Sequence, residues 1–94
     1  MIRIHDFIYD NKDDRVGPTL IKKLKVFVGR VCLINYNDEY DLYIISQMGV
    51  TNLGFWVNEG DAEEDKFMCF SLVKSVDIAT PKDEIFFKLE YDLD

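Results

Sequence analysis

VCLINYNDEYDLYIIS, residues 31–46, decides the fold. Val31 to Tyr36 is apolar on both faces, Asn37-Asp38-Glu39 has the chemistry of a turn, and Tyr40 to Ser46 returns to β-type residues. Asn and Asp favour turns because their side chains bond nearby backbone and tolerate left-handed dihedrals. A connection this short joins antiparallel neighbours, so the segment predicts a hairpin.

Downstream the same texture continues. Gly49 to Asn52 reads as a second turn, Leu53 to Asn58 as a third strand and Glu59 to Asp65 as an acidic loop. Lys66 to Val73 reads as a fourth strand that could run on through Val76 and Ile78. Thr80-Pro81-Lys82-Asp83 reads as a turn and Glu84 to Tyr91 as a last strand. There Ile85, Phe87, Leu89 and Tyr91 alternate with Phe86, Lys88, Glu90 and Asp92, the pattern of a half-buried strand.

Upstream, Gly17-Pro18 opens a helix, since proline suits the first helical position. Leu20, Ile21, Leu24, Phe27 and Val28 repeat with the helical period, with Lys22, Lys23 and Lys25 on the other face. The helix is placed at about 18–27, with Gly29 as a left-handed terminator. A strand beginning at Val26 is the rival reading of its end. Ile4, Phe7 and Ile8 lean to a first short helix, and Asn11 to Gly17 reads as a loop.

The expected fold is α+β: one or two N-terminal helices packed on a five-stranded antiparallel meander, in one domain spanning 1–94. A small helix-capped β-barrel is the alternative. The expected core is Leu20, Leu24, Val31, Leu33, Ile44, Phe67, Leu72, Ile85, Phe87 and Leu89.

Charge divides the chain. Residues 1–30 hold seven basic side chains against four acids, while residues 31–94 hold four against fourteen. The local balances of +3 and −10 lie within an overall −7. Such a body repels nucleic acid and anionic membrane and attracts basic proteins. With 48% hydrophobic and 14% aromatic residues it is a globular chain, not a disordered acidic tail. Cys32 and Cys69 sit in apolar runs and read as free thiols of a reducing cytoplasm, a disulfide requiring that their strands pair. Met1 leads into a polar stretch, so no signal peptide is expected. No apolar run approaches the ~20 residues that span a bilayer.

No motif for catalysis, a cofactor or a metal appears. His5, the only histidine, has Asp6 beside it, and a surface pair on a terminal element accounts for both. The acidic loop does not follow the ligand spacing of a calcium loop. Four groups are candidates for partner binding: Asp38 and Glu39 in the first hairpin; Asp61, Glu63, Glu64 and Asp65 in the loop; Glu90 and Asp92 on the last strand; and the aromatics Trp56 and Phe86. On a strand, Glu90, Asp92 and Asp94 would project carboxylates at intervals of ~7 Å, twice the strand rise, an interval that mimics the phosphates of a nucleic acid. Phe55 and Trp56 face opposite ways on a strand, so one enters the core. The lysine stripe reads as an exposed helix face, or as a surface that pairs with the acidic body of a second copy.

These observations favour a small non-enzymatic interaction protein: an inhibitor of the phage or immunity type that binds a basic protein, such as a nuclease or other nucleic-acid-binding protein. Direct binding to nucleic acid or membrane is not expected, and a homodimer is compatible with the charge pattern. A structural or adaptor subunit of a homo-oligomeric assembly is the alternative.

Overall fold

A computed structural model of the chain describes residues 1–10, 15–50, 53–60 and 63–91. The chain begins with β1 (Ile2–Arg3), a 3-10 turn (Ile4–Phe7), β2 (Ile8–Asp10) and β3 (Arg15–Val16). Helix α1 (Pro18–Lys25) follows, then β4 (Val31–Tyr36), β5 (Glu39–Met48), β6 (Gly54–Asn58), β7 (Lys66–Cys69), β8 (Val73–Ile78) and α2 (Pro81–Glu90). Six strands form one open antiparallel sheet in the order β1-β8-β4-β5-β6-β7, and β2 pairs with β3 separately. The fold is α+β, and the sheet does not close into a barrel.

The β4–β5 hairpin turns on two residues, Asn37 and Asp38, with φ of 53° and 67°. Paired left-handed dihedrals match the twist of the flanking strands, and Asn and Asp adopt them at low cost. Glu39 therefore belongs to β5, opposite Tyr36. β4 is hydrogen-bonded on both edges, to β5 and to β8. Its alternate residues enter two cores. Cys32 and Ile34 join Leu20 and Leu24 of α1, with Tyr43, Ile45, Phe55, Met68, Phe70 and Val76. Val31 instead meets Ala79 and Phe87, with Leu42, Ile44 and Tyr91 packed around them. Helices α1 and α2 thus cover opposite faces of the sheet, which is why residues 31–36 are apolar on both.

The expected fourth strand breaks at Phe70-Ser71-Leu72. These three residues carry the chain from β7, at one edge, to β8, on the far side of β4. Crossing four inter-strand spacings of a flat sheet would take ~19 Å, while four Cα steps reach only ~14 Å. The sheet must therefore curl. The link bonds to both flanks: the Phe70 amide donates to Leu53 and the Asn37 amide donates to Leu72, each at 2.9 Å. Phe70 is buried, and Leu72, expected in the core, is exposed. Lys66 of β7 lies 5.0 Å from the ring centre of Tyr36 on β4, a contact across the curl.

The largest correction concerns the C-terminal element. Residues 81–90 form a helix, not a strand. The Thr80 hydroxyl accepts a hydrogen bond from the Asp83 amide at 3.2 Å, and Pro81 takes the first helical position. Asp83 and Glu84 sit in the first turn and Lys88 in the last, which complements the helix dipole. The alternating set resolves into two i,i+4 pairs. Phe87 and Tyr91 turn inward, with ring centres 5.0 Å apart, while Ile85 and Leu89 turn to solvent. Ile85 and Leu89 are therefore not core, and Glu90, expected in a row of carboxylates along a last strand, ends a helix instead; Asp92 and Asp94 of that row lie outside the described residues.

Smaller departures lie elsewhere. Leu33, Ile44 and Phe67 are half-buried rather than buried, whereas Leu20, Leu24, Val31 and Phe87 are buried as expected. Helix α1 stops at Lys25, and turns lead to Gly29, whose φ is 84°. The expected loop at 11–17 contains β3, and its residues 11–14 lie outside the described ones, as do 51–52 of the second turn. Cys32 and Cys69 are free thiols on strands that do not pair.

Candidate functional site

A cleft of about 270 Å³ opens where α2 meets the sheet. Asp41 and Leu42 of β5 line one wall, Asp83, Phe86 and Glu90 of α2 line the other, and Glu59 from the loop after β6 closes one end. Phe87 and Tyr91 complete the lining. None of the four carboxylates, Asp41, Glu59, Asp83 and Glu90, forms an ion pair with a described residue. Phe86 stands among them 59% exposed, with the Lys82 ammonium 6.0 Å from its ring centre.

The loop is held in place from its base. Asn58 Oδ1 accepts from the Gly60 amide at 2.7 Å, and Asn58 Nδ2 donates to Asp65 at 3.2 Å. Gly60 has a φ of 107° and lies flat against Tyr91; a Cβ there would fall 2.4 Å from the ring. Absence of a side chain is what lets the loop touch α2 and bring Glu59 to the cleft.

The field of these groups reaches a neighbour. Burial, then the charges of Asp41, Glu59 and Glu39, push the Tyr43 phenol above its ordinary value. On the opposite flank of α2, Glu84 accepts from Lys88 at 3.1 Å and lies 3.7 Å from Arg30. The Lys88 hydrogen bond, helped by Arg30, holds the Glu84 carboxyl below its ordinary value. Burial pushes the Cys32 thiol up to about 12, so it is not a nucleophile in the folded chain.

Of the described residues singled out as partner-binding candidates from sequence, only Phe86 and Glu90 line this cleft. Asp38 and Glu39 are exposed at the hairpin, and Asp38 pairs with Lys74 of β8. Glu63, Glu64 and Asp65 are exposed in the loop, while Asp61 and Asp92 lie outside the described residues. Phe55 is the core partner of its pair; Trp56 is half-buried, packed edge-on against Phe67 with ring centres 5.0 Å apart. Asp41, Glu59 and Asp83 were not among the sequence candidates. Only Asp83 had a signal in the sequence: Thr80-Pro81 followed by Asp83-Glu84 marks a helix start, and a helix there places Asp83, Phe86 and Glu90 on one side.

A second cleft, of about 460 Å³, is lined by Arg3, His5, Asp6, Ile8, Phe70, Ser71, Val73 and Lys74. No hydrogen bond among the described residues links Ser71, His5 and Asp6, so the hydroxyl has no base engaged with it. The described residues contain no cluster of three or more histidine, cysteine or acidic groups arranged to hold a metal. No helix among them is long and apolar enough to cross a membrane. No protein-family model, curated protein or solved structure matches the chain.

Proposed function

We propose that this chain is a small acidic, non-enzymatic interaction protein that inhibits a basic, nucleic-acid-handling protein. One observation carries the reading: four carboxylates with no ion-pair partner among the described residues surround an exposed phenylalanine, on a helix that also leaves Ile85 and Leu89 exposed. An unpaired cluster of like charge is unfavourable in the free protein, and a cationic surface relieves it. Phe86 supplies the apolar anchor that gives such an encounter lifetime, and the carboxylates supply its rate. We place the protein in the cytoplasm, on the strength of its two free thiols. It acts on its target by occupying a surface made for nucleic acid, without binding nucleic acid or membrane itself.

The test is parallel capture from host extract. The baits are the wild-type chain, a variant with Asp41→Asn, Glu59→Gln, Asp83→Asn and Glu90→Gln, and Phe86→Ser. The wild type is expected to retain a basic nucleic-acid-binding protein at low salt and to lose it as salt rises. Both variants should retain much less. Equal retention by all three folded baits would remove the cleft from the account.

A further inference from the structure

Helix α2 buries one of its ten residues, Phe87, and leaves Ile85, Phe86 and Leu89 exposed by 59%, 59% and 72%. Residues 85 and 89 are one helical turn apart and 86 adjoins them, so the three form a ridge along the outer side of the helix. Its β5 flank is the acidic one, with Asp41, Glu59, Asp83 and Glu90. A surface complementary to this one exists on the same molecule. Lys22, Lys23 and Lys25 of α1 are exposed and pair with no carboxylate among the described residues. Just beyond them Val26 and Val28 are exposed by 72% and 39%. One patch is apolar with an acidic border; the other is apolar with a basic border.

The two patches belong to helices on opposite faces of the sheet. A chain therefore cannot lay its own lysines over its own α2. We propose that a second copy of the chain occupies the acidic face when no target is bound, through residues 22–28 at the end of its α1. This rests on the reading of the α2 face as an interaction site, and it names a partner for that face. The contact joins two different patches, so it closes into a ring or a reciprocal pair, or continues as a chain of copies. Because the lysine stripe and the basic target use the same carboxylates, self-association and target binding exclude each other.

Sedimentation velocity over a concentration series, at low and at high salt, tests this. The wild type is expected to associate with rising concentration at low salt and to dissociate at high salt, where surface charges are screened. Lys22→Glu, Lys23→Glu and Lys25→Glu together should give a monomer, as should Asp41→Lys, Glu59→Lys and Glu90→Lys together. An equal mixture of these two variants should associate again, because each retains the patch whose sign suits the other. Leu89→Ser, at an exposed site, should keep the fold and lose the association even if the charge variants do not fold. A wild type that stays monomeric throughout at low salt overturns the proposal, as does association that Leu89→Ser leaves intact. A monomeric wild type that still captures a basic protein through the cleft would leave the α2 reading standing and remove only the second copy; loss of both would remove both.

Discussion

Gly60 and Tyr43 report on the cleft one residue at a time. Gly60 holds a left-handed φ against the face of Tyr91, so Gly60→Ala meets both a backbone and a steric penalty. It should cost ~1–3 kcal/mol and release the loop from α2; denaturant unfolding measures the first. An unchanged midpoint would mean that the loop is not fixed by this contact. Tyr43 senses the charge. Asp41→Asn with Glu59→Gln should bring its phenol part of the way back toward the ordinary value, followed by phenolate absorbance. The recovery is partial because burial, the larger cause, remains. No movement at all would show that these carboxylates do not share a field. Neither residue announced itself in the sequence. Gly60 looked like an ordinary loop glycine, and Tyr43 is one of several tyrosines in β-type runs. Their roles depend on which element lies opposite, and that is a tertiary fact.

At the scale of elements, α1, the first hairpin and β6 were legible because local chemistry and periodicity agree there. Gly17-Pro18 starts a helix, Asn37-Asp38 makes a turn, and Val31 to Tyr36 demands cover on both faces. Residues 84–91 were not legible by alternation alone. Ile85, Phe87, Leu89 and Tyr91 satisfy period two, yet the same set holds two i,i+4 pairs, so the pattern admits a helix as well. The capping signal at Thr80 to Glu84 decides between them, and it outranks the alternation because it satisfies backbone donors that are otherwise unpaired. The turn at 70–72 was hidden for a different reason. It has no glycine or proline, and the curl of the sheet, not local preference, requires it. The two readings of the last element differ in a measurable way. As a helix, Phe87→Ala should cost ~3–5 kcal/mol, while Leu89→Ala should stay within ~0.5 kcal/mol of the wild type. As a strand with both on the core face, the two would cost similar amounts. Thermal or denaturant unfolding of the pair distinguishes them.

Over the whole molecule, the uneven charge of the sequence becomes an arrangement in space. The lysine stripe on α1 and the acidic cleft under α2 belong to opposite faces of one curled sheet, and the acids outnumber the bases by seven. The isolated chain should therefore pass through a duplex-DNA column at ~0.15 M salt, where charge is still felt over ~8 Å; retention would show that the stripe acts alone as a nucleic-acid surface. The general character of the cleft, carboxylates beside an exposed aromatic, could be read from composition. Its location could not, because it depends on α2 and on the loop that Gly60 presses against Tyr91. Hydrogen–deuterium exchange of the chain at a dilution where it is monomeric, and of its complex with the target that the capture experiment identifies, tests the central claim most directly. The account predicts added protection in residues 81–90 and around 41–42 and 59–60, with the α1 end unchanged. Protection confined to α1 or to the β7 edge, with α2 exchanging as in the free chain, would contradict it.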